Sequence, residues 1–222
     1  MAAVLQAADR AVTVRMLGRV DYETAWRAMR DFSTARAPST LDEIWLLEHP
    51  PVYTMGLRGH ARASPAIRGI PVVRTDRGGD MTYHGPGQLV VYLLLDLARL
   101  GLGVKGLVGL LEQAVIDLLA AYDIAGARLP GAPGVYVDRK KTAALGLRMR
   151  RGCSYHGLAL NVDMDLAPFA HIDPCGYPGL GVTQLVELGV KPGMESVRRQ
   201  LLERLLDRLG YNRRSFLSAP TS

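Results

Sequence analysis

The sequence has 222 residues, 48% of them hydrophobic and 22% charged, which is typical of a globular protein with one large domain. Its 27 basic and 21 acidic residues give a net charge of +6, which favours an acidic partner, but the basic residues are scattered and no nucleic-acid-binding pattern stands out. The N-terminus lacks a secretory signal and the longest apolar run, residues 89–95, is too short to span a bilayer, so we expect a cytoplasmic protein that binds neither nucleic acid nor membrane.

In the first half of the chain, the hydrophobic pattern predicts strands around one helix. "AVTVRML" alternates as a strand does, and "DYETAWRAMRDF" places its apolar residues on one helical face, with Asp21 as the N-cap. "EIWLLEH" and "PVVRT" are predicted strands, separated by a loop around residues 56–71. "QLVVYLLLDL" is apolar on both faces, which indicates a buried strand.

The second half is predicted to contain two helices and a group of strands. Leucines at 3.6-residue spacing indicate helices over residues 105–122 and 193–209. "GVYVD", "TAALGLRM" and "YHGLALNVDMD" are predicted strands, the last two joined by a hairpin at "RRGCS". Clustered strands with hairpin links and few helices predict an α+β fold for a single domain, residues 1–222, in which residues 211–222 form a C-terminal tail.

A glycine pattern after the buried strand is similar to a dinucleotide-binding turn. "GLGVKG" at residues 101–106 fits G-x-G-x-x-G and lies between a strand and a helix. However, "DLARL" separates the strand from the glycines, whereas a phosphate-binding turn follows its strand directly. We therefore expect no dinucleotide site there.

The two cysteines, Cys153 and Cys175, differ in their surroundings. In "HIDPCGYPG", Cys175 lies between a proline and a glycine, so it is held in a loop rather than packed in a core. It could be a free thiol without a function, half of a disulfide, a metal ligand or a nucleophile. With no export signal and no further ligand pairs, a disulfide or a metal site is not expected, and both thiols should be reduced.

Two other segments carry polar chemistry. In "RGGDMTYHGPGQLVVY", Gly78 and Gly79 allow a ligand to approach the backbone and Arg77 supplies a charged fork, which favours a binding site over a plain turn. In "RKKTAALGLR", strand alternation would place Lys140 and Lys141 on opposite faces, so only one can face a site. Spacing alone does not decide whether these lysines supply a functional amine or belong to a solvated strand edge.

Together these segments resemble the octanoyl-[acyl-carrier-protein]:protein octanoyltransferases of lipoate biosynthesis. The motifs are "HPPVYTMG", "RGGDMTYHGPGQLVVY", "KKTAALGLR", "RGCSYHGLALNVDMDL" and "IDPCGYPGLGVTQL", and the resemblance covers about residues 12–210. It implies the fold of biotin and lipoate protein ligases, an α+β domain with a mostly antiparallel mixed sheet flanked by helices.

The resemblance also implies roles for individual residues. Cys175 matches the nucleophile that carries the octanoyl group as a thioester, and Lys141 matches the lysine that lowers its pKa. His49 and His156 are possible pocket residues. The positions that match the family's substrate-binding residues are Arg77, Gly78, Gly79, Asp80, Met81, Thr82, Tyr83, His84, Ala144, Leu145, Gly146, Gly157, Leu158 and Ala159.

Three features depart from this pattern or compete with it. Thr142 stands where a larger β-branched apolar residue is commoner in the family, and "LRGHARASPAIRG" follows the family pattern only loosely. Cys153 is a rival nucleophile, because Arg150 and Arg151 beside it could lower its pKa.

The implied reaction moves an octanoyl group from octanoyl-acyl carrier protein, an acidic donor, to the acceptor lysine of a lipoyl domain. The implied acceptors are the lipoyl domains of 2-oxoacid dehydrogenase E2 subunits and the glycine cleavage H protein. The transfer is expected to be ping-pong and to need no ATP, metal or other cofactor, in an enzyme taken as a monomer. The residues alone leave three alternatives: a cysteine thioesterase using His171, an ATP-dependent lipoate or biotin ligase on the same fold, and a non-catalytic acyl-binding protein.

Overall fold

In the described part of the chain, the larger of two sheets contains eight strands and pairs the first strand with the last. The computed structural model describes residues 10–59, 65–172 and 181–218. The strand order is β12-β1-β2-β7-β11-β10-β9-β8; pairs involving β7, β9, β10 and β11 are antiparallel, and β1 is parallel to both neighbours. These strands are β1 (Ala11–Arg19), β2 (Asp42–Glu48), β7 (Gln88–Leu94), β8 (Ala127–Leu129), β9 (Ala132–Val137), β10 (Lys140–Arg150), β11 (Cys153–Asn161) and β12 (Arg213–Ser218).

A smaller sheet of four strands, in the order β4-β5-β3-β6, holds the glycine-rich segment. Its strands are β3 (Val52–Met55), β4 (Ala66–Ile67), β5 (Ile70–Arg74) and β6 (Met81–His84). The amides of residues 56–58 donate to carbonyls of residues 77–80, which extends the contact between β3 and the loop before β6. The loop that begins at Arg77 is therefore tied to strand β3.

Helices cover both faces of the larger sheet. On one face, α1 (Tyr22–Ala35) packs with the side chains of β2, β7 and β11, and its first turn is capped by the Asp21 carboxylate, as predicted. On the other face, α3 (Val104–Ala120) and α4 (Met194–Leu209) contribute leucines to the main core. Each fully buried leucine stabilises the fold by about 1.5–3 kcal/mol, so these leucine faces hold the layers together.

The predicted α+β class is confirmed, as are the long helices and strands. The glycines of "GLGVKG" follow a short helix, α2 (Leu97–Leu100), and Gly101 ends that helix with a left-handed φ of 68°. They therefore do not form a phosphate-binding turn. No helix in the described part of the chain is both long and apolar enough to cross a bilayer.

The expectation of a C-terminal tail after residue 210 needs correction. Residues Arg213–Ser218 form β12, which pairs in parallel with β1 and supplies an edge of the larger sheet. The pairing depends on contacts between residues about 200 positions apart, such as Ala11 with Arg213. A short segment with two arginines has no local pattern that announces such a strand.

Candidate active site

A cavity of about 200 Å³ collects nearly all the residues that the sequence motifs single out. Its walls come from α3, from β6, β7, β10 and β11, and from the loop that begins at Arg77. The sequence-predicted residues that line it are Arg77, Gly78, Gly79, Asp80, Met81, Thr82, His84, Lys141, Ala144, Leu145, Gly146, His156, Gly157, Leu158 and Ala159.

Lys141 lies in this wall and its neighbour does not. Its side chain is 3% exposed, whereas Lys140 is exposed, so strand alternation separates the pair as predicted. The ammonium donates to the carbonyl of Pro133 at 3.3 Å and lies 5.2 Å from the centre of the Tyr136 ring. The pairing of β10 with β9 shifts between Lys141 and Ala143, which marks a β-bulge directly after this lysine.

Arg77 is held rigidly at the start of the glycine loop. Its Nε and Nη2 donate to Oγ1 of Thr54 at 3.2 and 2.9 Å, and Nη2 also donates to the Thr54 carbonyl. The backbone of the loop is bound to β10, since the Gly78 amide donates to the Leu147 carbonyl at 2.8 Å. A Cβ at Gly146 would lie 3.0 Å from the Gly78 carbonyl oxygen, so glycine there permits this close packing.

The buried histidines are uncharged. Burial lowers the pKa of His84 to about 3 and that of His49 to about 4. His49 does not line the cavity: its ring donates from Nδ1 to the Val20 carbonyl at 2.6 Å and accepts from the Tyr92 hydroxyl at 2.7 Å. It therefore lies behind the wall and orients Tyr92, which does line the cavity.

His156 is fixed by a carboxylate that sequence reasoning did not single out. Its Nε2 donates to Asp76 at 3.0 Å, and its φ of 61° is rare for a residue other than glycine. Asp76 also accepts from Trp26 and from the Tyr155 hydroxyl. Burial alone would raise the pKa of Asp76, but these three donors hold it well below its usual value, so it stays ionised.

Tyr83 is the one residue of the predicted substrate-binding set that is not in the cavity wall. Tyr83 lies between Thr82 and His84 on β6, but its side chain belongs to a core cluster and does not line the cavity. Its ring packs against Tyr53 and Phe169, with centres 5.4 and 5.5 Å apart. The structure thus places Tyr83 in the core behind the site.

Cys175 lies outside the described residues, but the chain on both sides of it reaches the cavity. Phe169, before that segment, and Val182, after it, both line the wall. Gly181 and Thr183 pair with Lys141: the Lys141 amide donates to the Gly181 carbonyl at 2.8 Å, and the Thr183 amide donates to the Lys141 carbonyl at 3.0 Å. Residues 181–183 are therefore bound directly beside Lys141.

Cys153 lies in a different environment from the one that its arginine neighbours suggested. It begins β11, next to Asp96, and it does not line the cavity. Burial raises the pKa of its thiol, and the nearby Asp96 and Asp42 carboxylates add to this effect against Arg36 and Arg99. The expectation of a lowered pKa is wrong, which weakens Cys153 as a nucleophile.

Thr142, which follows Lys141 on β10, is a buried polar residue. Its side chain is fully buried, and its hydroxyl has no hydrogen-bond partner among the described residues. A buried unpaired hydroxyl costs about 1–3 kcal/mol. A β-branched apolar side chain of similar shape would avoid that cost.

We therefore expect Thr142→Val to raise the free energy of unfolding by about 1 kcal/mol in urea denaturation. Thr54→Val is the matched control. Thr54 is equally buried, but its hydroxyl bonds Arg77 and His84, so its loss should destabilise the protein. Equal losses of stability in both variants would contradict the prediction.

Comparison with known proteins agrees with the fold and with the motifs. Residues 21–206 match the family described as "Lipoyl protein ligase A/B catalytic domain". The crystal structure of a lipoate-protein ligase A bound with ATP superposes with a TM-score of 0.76 at 15% identity, over 94% of this chain and 89% of that one, and so shares the fold.

Sequence relatives are much closer. An octanoyltransferase of Thiobacillus denitrificans is 58% identical over 197 residues, which are 89% of this chain and 90% of that protein. One of Azoarcus sp. is 60% identical over 196 residues, 87% of this chain and 86% of that protein. At this identity, over nearly the full length of both proteins, the chain belongs to the octanoyltransferases of the lipoyl protein ligase A/B family.

Proposed function

We propose that this enzyme transfers an octanoyl group from octanoyl-acyl carrier protein to the acceptor lysine of lipoyl domains through a thioester on Cys175. The observation that carries the proposal is the position of Lys141, buried in the cavity wall and paired through its backbone with the chain that follows Cys175. An ammonium held there favours a thiolate over a thiol, because opposite charges lower the pKa of an acidic group.

The cavity suits a medium-length acyl chain. Apolar side chains make up a large part of its wall, and the histidines that line it are uncharged at neutral pH because burial lowers their pKa. An alkyl chain gains about 0.8 kcal/mol for each buried methylene, so such a lining favours an octanoyl group over a polar one. The apolar residues in the wall are Met81, Val90, Val104, Val108, Ala144, Leu145, Leu147, Leu158, Ala159, Phe169 and Val182.

In the first half-reaction, the Cys175 thiolate attacks the thioester carbonyl of the donor. A carbon–sulfur bond forms to Cys175 and the bond to the carrier's phosphopantetheine sulfur breaks. The Lys141 ammonium gives its proton to the departing thiolate. One thioester replaces another, so the step needs no ATP.

In the second half-reaction, the neutral ε-amine of a lipoyl-domain lysine attacks the octanoyl-cysteine. The amide bond forms, the Cys175 thiolate leaves, and the Lys141 amine takes the proton that the attacking nitrogen loses. Both groups return to their starting states. We propose the lipoyl domains of 2-oxoacid dehydrogenase E2 subunits and the glycine cleavage H protein as acceptors.

The net charge of +6 suits an acidic carrier protein as donor, because opposite charges speed encounter. Arg58 lines the cavity and adds a positive charge to its wall. Added salt screens this attraction, so it should slow the first half-reaction more than the second.

The decisive test is an intact-mass measurement after mixing with octanoyl-acyl carrier protein in the absence of ATP, followed by peptide mapping. We expect an octanoyl increment on Cys175 that disappears when a lipoyl domain is added. Cys175→Ser should form no thioester, and the matched variant Cys153→Ser should behave as the wild type. Free octanoate without an acceptor would indicate a thioesterase, and turnover only with ATP would indicate a ligase.

A further inference from the structure

A series of buried hydrogen bonds runs along the cavity wall from Arg77 towards β11. Arg77 donates to Oγ1 of Thr54, which lies 3.3 Å from Nε2 of His84. Nδ1 of His84 lies 2.6 Å from Oε1 of Gln88. Each of these side chains is at most 8% exposed, so water has little access to the chain.

The series of hydrogen bonds continues across two paired strands. Gln88 on β7 and Asn161 on β11 are direct partners in the sheet, and Nε2 of Gln88 donates to Oδ1 of Asn161 at 2.9 Å. The side-chain amide nitrogen of Asn161, Nδ2, donates to the carbonyl of Thr183 at 3.0 Å. The Asn161 side chain is therefore the last side chain of the series, and it ends on the backbone beside Lys141.

Donor and acceptor roles follow a single direction along the whole chain. A guanidinium can only donate, so the Thr54 hydroxyl accepts from Arg77 and its own hydrogen goes to Nε2 of His84. His84 then carries its hydrogen on Nδ1 and donates to Gln88, whose NH₂ group donates to Asn161. A protonated His84 would have no acceptor site for the Thr54 hydroxyl, which agrees with the low pKa that burial imposes on this ring.

The last hydrogen bond of this series fixes the backbone at residue 183, close to Lys141. The Thr183 carbonyl accepts from Asn161, while the Thr183 amide donates to the Lys141 carbonyl at 3.0 Å. The backbone at residue 183 is thus held from two sides, by β10 and by a side chain of β11. Residue 183 is eight positions after Cys175, and the Lys141 amide is bonded to Gly181 in between.

We propose that Asn161 is a positioning residue for octanoyl transfer: by anchoring residues 181–183, it fixes the backbone that follows Cys175 in sequence beside Lys141. The inference rests on the proposed function, in which the Lys141 ammonium favours the Cys175 thiolate. Buried polar networks whose members are all paired select one geometry, whereas an apolar pair at positions 88 and 161 would pack without fixing the Thr183 carbonyl.

The test is the alkylation rate of Cys175 by iodoacetamide as a function of pH, in a Cys153→Ser background so that one thiol reacts. This profile reports the fraction of thiolate, which a merely structural role would leave unchanged. We expect Asn161→Ala and Gln88→Met each to move the midpoint to higher pH and to slow alkylation at pH 7 about tenfold, equivalent to one pKa unit. Thr142 is a buried neighbour that takes no part in this series of hydrogen bonds, so Thr142→Val should keep the wild-type profile.

The Lys141→Met background separates the inference from the proposed function. If Asn161 acts through Lys141, Asn161→Ala should have no further effect on the profile once Lys141 is gone. A normal profile in Asn161→Ala with only a lower melting temperature would overturn the inference, and so would a shift that adds fully to that of Lys141→Met. A normal profile in Lys141→Met would instead overturn the proposed function. If Asn161→Ala does not fold, Gln88→Met decides by the same criteria.

Discussion

Replacing Lys141 with methionine should lower octanoyl transfer by about 10²- to 10⁴-fold while the protein stays folded. The variant loses the charge that favours the Cys175 thiolate and the proton donor for the leaving thiol. Methionine is unbranched, flexible and close to lysine in length, so it can fill the space of the lysine side chain. The side chain is 3% exposed, so its loss changes the cavity and not the surface.

The effect should be measured in single-turnover assays of cysteine acylation and of transfer to a lipoyl domain, with the melting temperature beside them. Lys140→Met is the matched control, because the neighbouring lysine is exposed and outside the cavity wall. It should keep near-normal rates. Rates within a few-fold of wild type for Lys141→Met would remove this residue from the proposed mechanism.

Adding a single methyl group at Gly134 should destabilise the protein by about 2–4 kcal/mol and reduce transfer in the fraction that folds. Gly134 has φ of 142°, which side chains rarely adopt, and its Cβ would lie 2.7 Å from the Ala143 carbonyl oxygen. The same Cβ would lie 3.2 Å from Cε and 3.4 Å from Nζ of Lys141. Gly134→Ala therefore strains the backbone and places a methyl group against the Lys141 side chain.

Urea denaturation and the acylation rate check this expectation, with Gly109→Ala as the control. Gly109 is a helical glycine of α3, and a Cβ there meets nothing within 4 Å. Because alanine favours helix over glycine by about 1 kcal/mol, the control should be neutral or stabilised. Wild-type stability in Gly134→Ala would mean that the close contact between β9 and β10 relaxes freely.

Long, strongly patterned elements were predictable from the sequence. Helices expected over residues 105–122 and 193–209 are found at Val104–Ala120 and Met194–Leu209. Their signal is local, since several turns of leucines at helical spacing decide which face is buried. By contrast, β4, β6 and β8 have two to four residues each, too few for a periodicity to register.

The motif residues of the candidate site were predictable from the sequence, but the residues that hold them in place were not. The glycine-rich block led to Arg77 and His84, both in the cavity wall. Asp76 directly precedes Arg77, yet nothing local distinguishes it from a surface carboxylate. Its three donors, Trp26, Tyr155 and His156, lie 50, 79 and 80 positions away.

By itself, the sequence determined the family, the main helices and strands, and the residue types of the proposed chemistry, because motifs and periodicities are written in neighbouring positions. Only the tertiary structure decided which of them meet. Strand alternation directs Lys141 into the cavity wall, and the pairing of β7 with β11 brings Gln88 and Asn161 together across 73 positions. Such contacts depend on sheet register, which is set by the packing of the whole domain rather than by any one segment.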